Sequence, residues 1–476
     1  MEMTLRGHWI ALGLLAALGA GGNVDWARGA LGGFGLLGPI LLLAYHSSVE
    51  RRPEPIVKPY LWLMLPWWIV VAVFLAGILH PAFILQEVNG QQFWEMLPPP
   101  PSWVPLSGQL DVAILEVLFI IGLYAATVNA LIIPQNRMAF ARTWVALAFA
   151  AGLLAVLGLA QYFTGTGSIL WMIPFRHAHF FATFPHSAQW CAFAILWMGV
   201  CLSLVAWLVR QRTWRWLASD GWTLLALGGL LGLSVAVAGD PLHWLLGSLV
   251  AATGCFALAW QTLYDRKLGQ RLGVAATTCL SAGLVLLILA FATLFHQGGW
   301  LTYNGDRPGV PLHSHVMADT LAMWEQRPWF GWGHASFQIA YGFFQQADQE
   351  GAYWAYARSD LLQSLAENGL VGTLAWWLPA AWVCWRIARR RHLASFLFAP
   401  LVALAALVVL SVVDFPLACP AVFFGFWLIL FSLCRWNEID DETNKSTWTL
   451  RHRIVVQRSH QSHASESPPA SPPAAG

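Results

Sequence analysis

The residues with the clearest chemical potential stand in RSDLLQSLAENGLVG, positions 358–372. Arg358 carries a planar guanidinium that can bind a phosphate through two parallel hydrogen bonds. Asp360 and Glu367 follow it, so a salt bridge on a solvated helix face is the competing interpretation. On a helix, one side would carry Arg358, Leu362, Leu365 and Gly369. The segment is a candidate anion-binding site that other elements must position.

A second group of cationic and titratable side chains lies in PFRHAHFFATFPHSAQW, positions 174–190. Arg176 is the basic residue of this stretch, and His177, His179 and His186 accompany it. Arg176 would either bind a phosphate or extend to lipid headgroups as an interfacial anchor. Both interpretations stay open, and His186 is a further candidate.

The stretch AGDPLHWLLG, positions 238–247, forms a very short turn between two apolar segments. Asp240 directly precedes a proline, which favours a helix N-cap for this residue. His243 has no such role, so it is a candidate for phosphate binding or a buried interfacial histidine.

A further stretch runs from Arg307 through HSHVMADTLAMWEQRPWFGWG. Arg307 is a candidate for phosphate binding. His313 is a candidate general base because an unperturbed imidazole titrates close to neutral pH. His313 and His315 lie two residues apart and diverge on a helix, and no third ligand is in register. We therefore predict neither a metal ion nor a cofactor.

The elements that position these residues are predicted to be membrane helices. Hydrophobic residues make up 58% of the chain and charged residues 11%, against about 25% charged residues in soluble domains. Twelve apolar stretches have the length that crosses a bilayer. They span about 8–23, 28–46, 60–79, 109–132, 143–163, 186–209, 219–237, 243–262, 273–295, 369–387, 396–413 and 417–434. The sequence predicts an all-α polytopic membrane protein with about twelve transmembrane helices.

The distribution of lysine and arginine predicts the orientation. With a cytoplasmic N-terminus, all but five of the 26 basic residues fall on the inner side. The five outer ones are Arg28, Arg176, Arg307, Arg327 and Arg358. This bias predicts that both termini are cytoplasmic, and it gives no reason to expect nucleic-acid binding.

The predicted spans divide the chain into four regions. The first nine helices occupy 1–295 and include an outer loop at 80–108 that contains a polyproline stretch. A long outer loop with helical periodicity follows at 296–368, and the last three helices occupy 369–435. The tail, 436–476, is rich in Pro, Ser and Ala and is predicted to be a disordered cytoplasmic segment.

Three segments together resemble the O-antigen ligase and polymerase family of bacterial envelope proteins. ATFPHSAQ at 182–189 is similar to a segment that enters a mid-chain helix in that family. TLAMWEQRPWFGWGHASF at 320–337 and the segment at 358–372 are similar to its two periplasmic-loop motifs. The resemblance implies a dozen membrane helices with a large periplasmic loop before the last three, in the bacterial inner membrane.

The resemblance also implies an activity. The family transfers a glycan from undecaprenyl pyrophosphate to a glycan, lipid or protein acceptor, without a metal ion. Arginines hold the pyrophosphate, and a histidine of the loop activates the acceptor hydroxyl. The implied partners are this lipid-linked oligosaccharide, the acceptor and membrane lipids.

The chain departs from the family pattern at the position of that histidine. Arg358 stands where the family has it, and an arginine of the family falls near His313. A second family arginine falls at the turn before His243. One interpretation keeps both charges in one site, with Arg358 holding phosphate and His313 acting as the base. Arginine itself stays protonated and cannot be the base.

Two alternatives to a glycosyltransferase remain open from the sequence. The chain could be a non-catalytic factor in envelope polysaccharide assembly that has lost the base. It could also be a transporter of a bicarbonate-like solute, which would need ionisable or polar residues inside the spans. The most notable residues of that kind are Glu116, Asn129 and Ser234.

Overall fold

The fold is that of a helical bundle with one irregular end. A computed structural model describes residues 2–48, 57–134, 136–171, 173–174, 180–210, 221–264, 278–288, 313–345, 354–389 and 394–441. The candidates Arg176 and Arg307 lie outside these residues, as do residues 442–476 of the predicted tail. Residues 436–441, predicted to begin that disordered tail, are instead helical and mostly buried.

The described residues are mostly helical. In chain order the helices are α1 (Glu2–Leu18), α2 (Asp25–Gly35), α3 (Leu37–Ser48), α4 (Val57–Gly77), α5 (Leu110–Ile132), α6 (Arg137–Thr164), α7 (Ser187–Arg210), α8 (Trp222–Ala238), α9 (Pro241–Tyr264), α10 (Thr278–Ile288), α11 (His313–Gln326), α12 (Phe337–Ala340), α13 (Asp360–Ala388), α14 (Phe398–Val413) and α15 (Pro420–Asp441). Among the described residues, eight segments are long and apolar enough to cross a membrane. These are Asp25–Ser47, Tyr60–Gly77, Leu110–Ile132, Arg137–Thr164, Ser187–Arg210, Pro241–Gln261, Ser395–Val413 and Pro420–Asp441. The chain is therefore a multi-pass helical membrane protein.

The other four predicted spans also coincide with helices, but these do not meet the same criterion. α1 and α8 have 17 residues each. α10 is described over Thr278–Ile288, and α13 has 29 residues but is interrupted at Gly369. The prediction of twelve membrane crossings accordingly remains a prediction.

Two small hairpins interrupt the all-α pattern, and the larger one lies in the predicted outer loop at 80–108. Strands β1 (Phe83–Val88) and β2 (Gln91–Met96) pair antiparallel, and Asn89 and Gly90 connect them with positive φ angles. An Asn-Gly pair favours such a two-residue turn because its twist matches that of the strands. The smaller hairpin pairs β3 (Ser168–Ile169) with β4 (Ile173–Pro174).

The polyproline stretch of the same loop is held by a buried arginine. Arg327 is 2% exposed and donates hydrogen bonds to the carbonyl oxygens of Pro100, Pro101, Val104 and Gly331 at 2.7–3.3 Å. Proline-rich backbone offers carbonyl acceptors but few N–H donors, so a guanidinium is a suitable partner. The role of Arg327 is therefore structural.

α7 and α15 are buried along almost their entire length and form the centre of the bundle. At one end of the bundle, where α6 begins and α7 and α15 end, Asp440 pairs with Arg137 at 3.3 Å and with Arg210 at 3.2 Å. Glu438 pairs there with Arg386 and Arg435. We call this the tail end. The opposite end, where α5, α9, α13 and α15 begin, is called the site end.

Candidate functional site

Two segments singled out from the sequence interlock at the site end. Residues 328–333 and 366–371 exchange four backbone hydrogen bonds of 2.8–3.1 Å. The N–H groups of Trp332 and Gly333 donate to the first helical segment of α13, and those of Leu370 and Val371 donate back to the turn. The interlock joins the segment before α12 to the part of α13 around Gly369.

The interlock depends on Gly369, which divides α13 into two helical pieces. Its backbone angles are φ 62° and ψ −169°, a combination open essentially to glycine alone. A Cβ at this position would lie 2.3 Å from the carbonyl carbon of Trp329. The sequence-based placement of Arg358 and Gly369 on one helix face is thus wrong. Arg358 precedes the helix, and Gly369 leaves it because the helix must open to pair with the turn.

Beside the interlock, charged side chains surround a cavity of about 80 Å³. We call it the charged cavity, and its ionisable lining residues are Arg28, Glu116, His334, Tyr356, Asp360 and Glu367. Arg28 Nη1 donates to Glu116 Oε1 at 2.9 Å, and Arg28 Nη2 donates to the Tyr356 hydroxyl at 3.4 Å. The charged cavity therefore lies where α2, α5 and α13 contact the segments that precede α12 and α13.

His334 presents both ring nitrogens to oxygen atoms. Its Nδ1 lies 3.0 Å from Asn368 Oδ1, and its Nε2 lies 3.5 Å from Glu116 Oε2. His334 is buried. The interlock fixes its position, because the N–H group of the preceding residue, Gly333, donates to the Glu367 carbonyl oxygen. A positioned imidazole beside a carboxylate is suited to accept or donate a proton.

Glu367 lines the charged cavity together with His334. Its carboxylate accepts hydrogen bonds from the N–H groups of Ala335 and Phe337 at 3.2 and 3.1 Å, and from Gln363 at 3.3 Å. Burial raises the pKa of Glu367 to about 8, and the Glu116 carboxylate adds to the rise while the three donors oppose it. Glu367 is therefore not a solvated partner for Arg358.

Asp360 and Asp414 form a pair of buried acidic residues beside the charged cavity, at the turn between α14 and α15. The Asp360 N–H donates to the Asp414 carbonyl at 3.0 Å, and the Asp360 carboxylate accepts from the Leu417 N–H at 2.7 Å. Burial raises the pKa of Asp360 well above its ordinary range. Burial also raises the pKa of Asp414, and the nearby His243 and Arg358 partly offset that rise.

Arg358 lies between the charged cavity and the pair Asp360 and Asp414. Its guanidinium carbon is 5.4 Å from the ring centre of Phe415, which also stacks on Tyr356 at 4.6 Å. The His186 ring contacts Phe415 at 5.2 Å. Arg358 has a φ of +57°, which costs a non-glycine residue about 1–3 kcal/mol. Ser359 then caps α13 by accepting from the Leu362 N–H at 3.2 Å.

The structure thus brings together five of the eight residues predicted from the sequence. Arg358, Asp360 and His243 lie around Asp414. His186 contacts the adjacent Phe415, and Glu367 lines the charged cavity. His313 begins α11, but its side chain is outside the described part, as are Arg176 and Arg307.

Sequence reasoning missed Arg28, Glu116 and His334 as partners of one another. An ionisable residue inside an apolar span is a functional candidate by default. Arg28 and Glu116 both lie in segments apolar enough to cross a membrane, so this signal was available. Their pairing was not available, because 88 residues separate them.

Comparison with models of known protein families and with curated proteins found no match. The resemblance to the O-antigen ligases therefore remains a prediction from the sequence motifs.

Proposed function

We propose that the protein is a membrane glycosyltransferase that moves a glycan from a polyprenyl pyrophosphate to a glycan, lipid or protein acceptor. In this proposal the chain crosses a bacterial inner membrane about twelve times with both termini in the cytoplasm. Residues 296–368 form a large periplasmic loop. The site end then faces the periplasm, where a lipid-linked donor and an envelope acceptor can meet.

The observation that carries the proposal is the meeting of two arginines and an imidazole at the site end. Arg28 donates to the Tyr356 hydroxyl, the Tyr356 ring stacks on Phe415, and Arg358 lies over Phe415. Tyr356 and His334 line the same cavity. Arg28 and Arg358 each contact one member of the stacked Tyr356–Phe415 pair. Two guanidinium groups at one such pair suit a pyrophosphate, which carries charge on two phosphorus centres.

The transfer step follows from these positions. The acceptor hydroxyl gives its proton to His334 Nε2 while its oxygen bonds to the anomeric carbon of the donor sugar. The bond between that carbon and the pyrophosphate oxygen breaks, and the electron pair stays on the leaving pyrophosphate. Arg28 and Arg358 stabilise the developing negative charge electrostatically. Glu116 stabilises the protonated imidazole.

His334 takes the role that the sequence assigned to His313. The reason is positional, since the interlock holds His334 beside Glu116 in the charged cavity. His313 stays the alternative base, because it begins α11 and α11 packs against α13.

Transport has weaker support in the described interior of the bundle. Asn129 donates to the Gly38 carbonyl at 2.9 Å, and Ser234 accepts from Trp190 at 3.1 Å. These bonds join helices within the bundle. Among the residues that the structure describes, the charged side chains are instead gathered at the two ends of the bundle.

The first test measures donor binding to the purified full chain in nanodiscs, with undecaprenyl pyrophosphate as the probe. Arg358→Ala is expected to weaken binding by about 10–100-fold, the value of a lost charge-assisted hydrogen bond. Arg389→Ala is the control, because Arg389 stacks on Trp385 at the other end of α13. Equal affinity in the two variants would refute a donor site at Arg358.

The second test separates catalysis from assembly by following envelope glycan in cells that express each variant. His334→Asn is expected to abolish transfer while donor binding in nanodiscs persists. Loss in His313→Asn instead would move the base to α11. Full glycan display in both variants, with donor binding intact, would identify a non-catalytic assembly factor.

A further inference from the structure

A large apolar groove opens at the tail end, far from the charged cavity. Its volume is about 810 Å³, within the range of roughly 300–1,000 Å³ that is typical of ligand sites. The groove lies between α6, α7 and α8. Its apolar wall includes Val145, Phe149, Leu204, Trp207 and Leu224.

The rim of the groove is polar and positively charged. Arg137, Arg142 and Asn136 contribute to its lining. The Arg142 side chain is exposed, and no hydrogen bond or ion pair joins it to another residue in the described part of the chain. Arg137 shares the Asp440 carboxylate with Arg210, so this group of three retains one positive charge.

The groove is also lined by helices of the membrane-spanning class. α6 and α7 are both long and apolar enough to cross a membrane, and the wall residues lie in the parts of these helices adjacent to the rim. An occupant must therefore combine an apolar chain with an anionic headgroup, as a membrane phospholipid does. Clusters of arginine next to a membrane helix attract such headgroups.

We propose that this groove binds an anionic glycerophospholipid of the surrounding bilayer. One acyl chain lies against the wall formed by α6, α7 and α8. The phosphate contacts Arg142 and the edge of Arg137 that faces the rim. The site is independent of the proposed glycosyl transfer, because it lies at the opposite end of the bundle from His334 and Arg358.

The test uses delipidated full-length protein and native mass spectrometry, with phosphatidylglycerol and phosphatidylcholine of equal chain length. Wild type is expected to prefer phosphatidylglycerol. Arg142→Gln should reduce that preference about fivefold, the factor that corresponds to ~1 kcal/mol for one arginine at an anionic surface. Arg142→Gln breaks no ion pair in the described structure. Arg389→Gln is the matched control, an exposed tail-end arginine outside the groove, and should keep the preference.

A second variant tests the apolar wall separately from the charge. Ala146→Phe places a ring in the groove and should weaken retention of both lipids while their ratio stays unchanged. Equal retention of the two lipids by wild type would overturn the proposal. So would an unchanged preference in Arg142→Gln. Displacement of phosphatidylglycerol by an equimolar amount of undecaprenyl phosphate would replace the proposed occupant with a polyprenyl lipid.

Discussion

Replacing Gly369 by alanine tests the interlock that builds the charged cavity. The residue has φ 62° and ψ −169°, and its Cα lies directly against the backbone of Trp329. Alanine would bring a methyl group to 2.3 Å from the carbonyl carbon and oxygen of Trp329. Real Cβ atoms do not approach so closely, so the two segments must separate.

The expected cost has two parts. Alanine in this backbone region costs about 1–3 kcal/mol. Separating the segments lengthens or breaks the bonds from the Leu370 and Val371 N–H groups, each worth about 0.5–1.5 kcal/mol. The free energy of unfolding should therefore fall by roughly 2–6 kcal/mol. An unfolding entropy of about 2.1 cal/mol/K per residue makes each kcal/mol worth about 1 °C in a chain of 476 residues, so the melting temperature should fall by roughly 2–6 °C.

The assay is thermal unfolding of the purified protein in one detergent, with Gly229→Ala as the control. Gly229 lies within α8, and a Cβ there would meet no other atom within 4 Å. That alanine should leave the melting temperature unchanged or raise it slightly, because alanine favours a helix over glycine by about 1 kcal/mol. Equal melting temperatures for the two variants would refute the reasoning on the interlock.

Two further predictions concern buried charges at the site end. Because the pKa of Glu367 rises from 4.5 to about 8 on folding, the folded state holds this proton more tightly. The free energy of unfolding that this protonated carboxyl contributes is fully present below about pH 4.5. It is lost as the pH rises through about 8, at up to ~1.4 kcal/mol per pH unit. The melting temperature should fall between pH 5 and 8.5, and Glu367→Gln should flatten that slope; parallel curves would contradict the assignment. Arg327→Lys should release the loop around Pro100 and Val104, because an ammonium cannot reach the same carbonyl oxygens, at a cost of about 1–3 kcal/mol. Hydrogen exchange at 97–108 measures this release, and unchanged protection there would show that the arginine does not hold the loop.

The sequence by itself determined the class of protein and the position of nearly every helix. Apolar segments of about twenty residues are sufficient for that, since a bilayer requires backbone hydrogen bonds to be satisfied within each segment. It also indicated the segments 320–337 and 358–372 as functional, and both contribute to the interlock.

The tertiary structure alone decided which charges meet. Arg28 and Glu116 lie in different helices, and His334 stands in a turn with no periodic signal. The break at Gly369 is equally invisible in a helical pattern, because its cause is the Trp329 backbone packed against it. Helix formation is a local property that periodicity can report. The pairing of buried charges depends on contacts across more than 80 residues of chain, which only the packed bundle specifies.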